Sequence, residues 1–147
     1  MNKKQKSLTN KGFSLVELII VIAIMAVLVG VLAPQFIKYV EQSRRSKDIQ
    51  AAANLQTAYL TDVADATIDA DLGTAAAPVK IDGTNKPSTV ATAPTISGNL
   101  TAATAFYAYV DVDNGTCQIF VGTDAAPTAY DLTNEITAGQ YKTAVNP

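Results

Sequence analysis

The pattern of hydrophobic and polar positions divides the chain near Gly12. A polar segment with four lysines precedes this glycine, and the residues from Phe13 to Ala33 are apolar apart from Ser14 and Glu17. At a rise of about 1.5 Å per residue, this run of roughly 21 residues matches a hydrocarbon core about 30 Å thick. The run therefore predicts one membrane-spanning helix that begins directly after a basic leader.

The apolar run continues into a polar sequence without a turn signal. No glycine or proline lies between Pro34 and Gly73, and alanine-rich sequence favours helix. We expect one helix from about Ser14 to about Asp71, with Gly73 as its stop signal. Its second half places a mostly apolar set of residues at helical spacing: Ile49, Ala52, Ala53, Gln56, Leu60, Val63 and Thr67.

Gly30 and Pro34 are the weak points of this helix. Pro34 lacks the N–H group that would bond the carbonyl of Gly30, and glycine is itself a poor helix former. The two residues predict a kink or a local opening of the helix.

The rest of the chain alternates between breakers and short β-prone runs. Residues 73–104 predict an irregular connection with one short strand near Val79–Ile81. Two β-prone runs, 105–112 and 116–121, flank Asp113-Asn114-Gly115 and predict a hairpin. A third strand is expected from Thr128–Leu132 or from Gln140–Val145. The predicted fold class is α+β, with a small antiparallel sheet packed on the second half of the helix.

Charge and composition argue against several classes of function and of site. The net charge is −2, but the leader is basic and the distal region is acidic, which argues against nucleic-acid binding by that region. Histidine is absent, which excludes histidine-based catalysis and histidine-ligated metals. Cys117 is the only cysteine, so no internal disulfide forms, and we expect it to be a small buried residue.

Three charged segments invite alternative interpretations. The acidic segments 69–73 and 111–115 lack the ligand spacing of a calcium loop, so we predict no metal and no cofactor. The basic residues after the apolar run have no aromatic stacking partners. We expect these residues to form a solvated helix face, or to pair with acidic regions of adjacent subunits, and not to bind nucleic acid. They are Lys38, Arg44, Arg45 and Lys47.

Glu17 is the most informative residue of the apolar run. A charged side chain inside a membrane helix costs about 2.5–3.5 kcal/mol on insertion scales, so Glu17 needs a partner. An ordinary secretory signal is cut after its apolar core, whereas the natural break here, Gly12/Phe13, precedes the apolar run. Cleavage there would remove the lysines, keep the helix and create a cationic amine at Phe13, four positions before Glu17.

This arrangement resembles the N-terminal signal of type IV pilins and of type II secretion pseudopilins. The resemblance rests on residues 11–19, with Pro34 at the far end of the apolar helix, and fades beyond Ala53. It implies prepilin peptidase cleavage after Gly12, N-methylation of Phe13, and pairing of Glu17 with the amine of a neighbouring subunit. The implied organisation is a leader (1–12), a transmembrane and filament-core helix half (13–34), an amphipathic helix half (35–72) and a globular head (73–147).

The leading functional hypothesis is a structural subunit of a type IV pilus, not an enzyme. Such a subunit is a single-pass cytoplasmic membrane protein before assembly and part of an extracellular filament afterwards. Its implied partners are copies of itself, the prepilin peptidase and methylase, and the assembly platform with its ATPase. The alternative is a pseudopilin of a type II secretion or competence DNA-uptake system. An enzyme or a soluble binding module is a third class that no motif supports.

Overall fold

The protein was analysed as a computed structural model, which describes residues 12–144. The chain divides at Lys38/Tyr39 into two compact units, called here the stalk unit (residues 12–38) and the head unit (residues 39–144). The elements are α1 (Leu15–Ala64), β1 (Val79–Lys80), β2 (Ala105–Asp111), β3 (Thr116–Thr123), β4 (Ala126–Asp131) and α2 (Glu135–Thr143). The predicted leader lies outside the described residues except for Gly12.

The C-terminal end of α1 differs from the sequence prediction. The helix ends at Ala64, not near Asp71, and Gly73 is not its stop. Ala66 adopts a left-handed conformation with φ of 52°. The N–H groups of Ala66 and Thr67 then donate to the carbonyls of Val63 and Asp62, at 3.1 and 2.8 Å. This is a Schellman termination with alanine at the position that usually holds glycine, so the sequence carries no ordinary stop signal here.

A four-stranded antiparallel sheet, in the order β1-β2-β3-β4, forms the other layer of the head unit. The predicted hairpin is confirmed: β2 pairs with β3 from Ala105↔Gly122 to Asp111↔Thr116. Its loop contains four residues, 112–115, and Gly115 takes a positive φ of 60° in the turn. The short predicted strand is confirmed as β1, which pairs with β2.

The last part of the chain resolves the two alternatives for a further strand. β4 corresponds to the predicted strand at Thr128–Leu132, whereas residues 135–143 form α2, so a strand at Gln140–Val145 is wrong for its described part. Asn134 begins α2 as its N-cap, because its side chain accepts a hydrogen bond from the N–H of Ile136 at 2.9 Å.

The core of the head unit lies between α1 and the sheet. Its buried side chains come from one face of α1, from alternate positions of β2 and β3, and from α2. Examples are Ala52, Leu55 and Tyr59 of α1, Phe106, Ala108 and Val110 of β2, Ile119 and Val121 of β3, and Tyr141 of α2. The structure therefore confirms the α+β class predicted from the sequence.

Candidate assembly site

The start of α1 uses Glu17 in a way that sequence analysis missed. The Glu17 Oε2 atom accepts a hydrogen bond from the backbone N–H of Ser14 at 2.8 Å. The N–H of Leu18 donates to the carbonyl of Ser14 at 3.2 Å, which makes Ser14 the N-cap. The signal was present as Ser14-Leu15-Val16-Glu17, the spacing of a capping box. Glu17 also places its negative charge at the positive end of the helix dipole.

Gly12 and Phe13 lie before the first turn of α1, in non-helical backbone. Phe13 is 92% exposed, and among the described residues no atom lies within 4 Å of the position that a Cβ atom would occupy on Gly12. Both residues are thus exposed in the described part of the chain. Of the predicted site residues, the structure brings Phe13 and Glu17 to the same end of one helix.

The stalk unit presents apolar side chains to every side. Large apolar residues from Leu15 to Leu32 are each 48–72% exposed. Among the described residues, α1 is the one helix long and apolar enough to cross a membrane, by length and composition, and none of its most apolar window is buried. This surface needs a cover of lipid or of other apolar helices, because its contact with water costs about 25 cal/mol per Å².

Gly30 and Pro34 both lie inside α1, and the helix continues past both residues. No atom lies within 4 Å of a Cβ placed on Gly30, so the helix surface there is open. Ala26 and Gly30 are four positions apart, a spacing of small residues that lets apolar helices approach closely. The predicted kink or opening at Gly30 and Pro34 stays a prediction.

A buried polar cluster in the head unit was not predicted from the sequence. It consists of Arg45, Asp48 and Tyr141, and it is called here the polar lock. The Asp48 carboxylate is 1% exposed and accepts hydrogen bonds from the N–H groups of Ser97 and Gly98, at 2.7 and 2.8 Å. It accepts a third bond from the Tyr141 hydroxyl at 2.7 Å. Burial and the Asp48 carboxylate raise the pKa of Tyr141 far above its usual value.

Arg45, the third member of the polar lock, lies on α1 together with Asp48. Its side chain is 4% exposed, pairs with Glu41 at 2.9 Å, and donates to the carbonyls of Tyr141 and Ala144 at the end of α2. The prediction that Arg45 belongs to a solvated helix face, or pairs with acidic regions of adjacent subunits, is wrong, because Arg45 is buried within its own chain. The two carbonyl partners of Arg45 lie almost a hundred positions away, so no local sequence pattern predicted these contacts.

Asp62 anchors a second point of the irregular connection to α1. Its carboxylate is 3% exposed and accepts from the N–H and the hydroxyl of Ser88, at 2.6 and 2.5 Å. Nearby, the Tyr59 hydroxyl donates to the carbonyl of Asn85. Asp48 and Asp62 therefore hold the connection between β1 and β2 at two places along the helix.

The acidic segment after β2 is part of the hairpin turn. The Asp111 carboxylate accepts from the backbone N–H and the side-chain amide of Asn114, at 2.9 and 2.8 Å. These hydrogen bonds hold the pKa of Asp111 below its ordinary value. Across residues 12–144, no group of three or more acidic or cysteine side chains is arranged to hold a metal ion.

Cys117 is buried in the core at 4% exposure, opposite Val110 in the sheet. Burial raises the pKa of its thiol to about 12, so the thiol is protonated at neutral pH. Its role as a small buried residue agrees with the expectation from the sequence.

Comparison with known proteins finds a family motif at the start of α1 and a similarity to one pilin. The model of the prokaryotic N-terminal methylation motif matches residues 8–33. Fifty residues of the chain are 44% identical to the type IV major pilin protein PilA of Myxococcus xanthus, which covers 34% of this chain and 21% of that protein. The chain thus matches about a fifth of this relative's length. No solved structure gives a significant match. The chain is therefore similar to type IV pilins over a limited part of its length, and this part includes the N-terminal methylation motif.

Proposed function

We propose that this protein is a structural subunit of a type IV pilus. In this proposal, α1 anchors the precursor as a single-pass protein of the cytoplasmic membrane. A prepilin peptidase cuts between Gly12 and Phe13, and Phe13 is N-methylated. An assembly platform with its ATPase then transfers the mature subunits into an extracellular filament.

One observation carries the proposal: the stalk unit has no apolar core of its own. Its large side chains are about half exposed or more over five turns of helix, and one acidic residue interrupts them at the start. A lipid bilayer covers such a helix in the precursor. Neighbouring stalks, packed side by side, offer the same apolar cover in a filament.

Glu17 fits a role in setting the register between neighbouring subunits. The capping bond to Ser14 uses Oε2, and in the described part of the chain Oε1 has no hydrogen-bond partner. Oε1 is thus available to the cationic amine that cleavage would create on Phe13 of an adjacent copy. A buried ion pair adds little net stability, but removal of one partner costs about 3–5 kcal/mol. The main effect of such a pair would be to fix the position at which a neighbouring subunit docks. Its contribution to the strength of the contact would be small.

The test is mass spectrometry of fibres sheared from cells that make the wild-type protein. We expect peptides that begin at N-methylated Phe13 and no peptide from residues 1–11. Gly12→Val blocks the predicted cut and is expected to leave the uncut precursor in the membrane. Gly83→Val, at a glycine with open space around it, is the matched control and is expected to give normal fibres.

The proposal fails if fibres contain subunits that still begin with the lysine-bearing leader. Filaments that form only on overexpression, with none on wild-type cells, would indicate a pseudopilin instead. Cells that never form filaments under either condition would exclude both structural roles.

A further inference from the structure

Two cations of α1 that belong to the head unit have no partner within the described residues. Arg44 and Lys47 are exposed, lie about one helical turn apart on α1, and are not part of the core. Neither forms an ion pair or a hydrogen bond in the described part of the chain. The two residues are called here the basic face. Three other head cations are engaged: Arg45 with Glu41, Lys80 with Asp124, and Lys86 with the carbonyl of Val90.

Four acidic residues gather beyond the end of α1. The N–H of Val112 donates to Asp71 at 2.8 Å, and Leu72 pairs with Val110 in an isolated β-bridge. These two contacts bring the segment after α1 beside the hairpin turn. The acidic patch comprises Asp69, Asp71, Asp111 and Asp113. None of the four forms an ion pair in the described part of the chain.

The two charged surfaces cannot neutralise each other within one chain. Arg44 and Ala64 are twenty positions apart, which is about 30 Å along α1. Two members of the acidic patch, Asp69 and Asp71, follow this end of the helix, where the N–H groups of Thr67 and Ile68 donate to the carbonyl of Asp62. At physiological salt the screening length is about 8 Å, so these charges act only on groups brought close to them.

We infer that the acidic patch of one copy docks on the basic face of another copy in the assembled filament. The inference rests on the proposed function and adds the contact between heads to that between stalks. A second copy carries both surfaces, so every subunit inside a filament is able to donate one and accept the other. Exposed complementary charges of this kind mainly fix register and speed association, and their effect weakens with salt.

The test is charge reversal followed by compensation, measured as the yield of sheared filaments in quantitative immunoblots. The basic-face variant is Arg44→Glu with Lys47→Glu, and the acidic-patch variant is Asp69→Lys with Asp113→Lys. The carboxylates of Asp69 and Asp113 make no hydrogen bond in the described part of the chain, so their replacement leaves the turn intact. The control is Lys142→Glu, an exposed charge reversal on α2.

Each double variant is expected to lower filament yield about tenfold, because two exposed ion pairs are together worth about 1.4 kcal/mol. The quadruple variant, in which both surfaces are reversed, is expected to recover most of the yield. The Lys142→Glu control is expected to assemble like the wild type.

Other results would overturn the inference. Unchanged yield in both double variants would show that the heads do not meet through these charges. Loss in the basic-face variant alone, with no recovery in the quadruple variant and weaker binding of the full chain to vesicles of anionic lipid, would assign the basic face to membrane headgroups. Failure of the wild type to form filaments would instead reject the proposed function itself.

Discussion

The Tyr141 hydroxyl donates a hydrogen bond to the Asp48 carboxylate at 2.7 Å, across 93 positions of sequence. Both groups are buried, and the bond fastens α2 to α1. With one cysteine, the chain cannot form an internal disulfide. The polar lock instead attaches α2 and residues 97–98 of the irregular connection to the same stretch of α1.

Tyr141→Phe tests the strength of this bond. Loss of a hydrogen bond to a charged group costs about 1.5–3 kcal/mol, and Asp48 would lose one of its three donors. We expect a fall of that size in the free energy of unfolding, measured by urea denaturation in detergent. Tyr130→Phe is the control, since Tyr130 packs on Tyr141 at 5.5 Å and its hydroxyl makes no hydrogen bond in the described structure. Equal losses in both variants would contradict the assignment.

Gly98→Ala probes the crowding around the same lock. A Cβ atom at Gly98 would lie 2.8 Å from Arg45 Cγ, 2.8 Å from the Tyr141 hydroxyl and 3.0 Å from Asp48 Oδ2. Such overpacking costs about 1–3 kcal/mol, and thermal unfolding followed by circular dichroism should show a lower midpoint. Gly83→Ala introduces the same methyl group into open space and should unfold near the wild-type temperature. An unfolding midpoint of Gly98→Ala equal to that of the wild type would show that the side chains of the polar lock can move to accommodate the methyl group.

Ala66→Gly is expected to stabilise the head unit. Ala66 holds a φ of 52°, which costs an L-residue about 1–2 kcal/mol and glycine almost nothing. The gain should be about 1 kcal/mol, because glycine also loses more entropy on folding. Ala64→Gly, inside the last turn of α1, is the control and should destabilise instead. The prediction is wrong if both glycines shift the urea midpoint in the same direction.

Alkaline pH should destabilise the head unit. Burial raises the pKa of Cys117 to about 12 from an ordinary 9.0. Burial and Asp124 together raise that of Tyr107 to about 12 from 10.0. The folded state thus keeps protons that the unfolded chain releases, so stability is intact below pH 9 and falls as the pH rises towards 12. Urea unfolding at several pH values measures the decline, and Cys117→Ala should reduce its slope between pH 9 and 12.

Glu17→Ala and Glu17→Gln separate the two roles of this side chain. An amide oxygen can still accept from the Ser14 N–H, so Glu17→Gln keeps the helix start but removes the charge. We expect both variants to be cleaved and folded and both to give few filaments. Only Glu17→Ala should also lose helix content in detergent. Normal filament yield from Glu17→Gln would show that the negative charge is not needed for assembly.

Local patterns were sufficient to predict most of the fold. The apolar run predicted the stalk, and Asn114-Gly115 between two β-prone runs predicted the β2–β3 hairpin. Both signals lie in neighbouring residues of the sequence, because helix periodicity and turn chemistry are local properties. The cleavage site proposed between Gly12 and Phe13 was predicted in the same way, from one abrupt change in hydrophobicity.

Long-range contacts explain what sequence analysis missed. Arg45 and Asp48 look like exposed helix residues, and only the docking of residues 97–98 and of α2 buries them. The end of α1 was misjudged because alanine, not glycine, occupies the left-handed position. Helix α2 was missed although Asn134 is a good N-cap, because Gly139 lowers the helix propensity of a short segment.

The two anchoring carboxylates have a consequence for sequence change in the head unit. Asp62 and Asp48 accept backbone N–H groups at positions 88, 97 and 98, and every residue except proline offers such a group. The stretch 91–95 between them, which is exposed at 91, 92 and 95 and half-buried at 93 and 94, is therefore held on both sides by main-chain groups. The three exposed positions can therefore be changed to create new surface epitopes while the connection stays attached to α1.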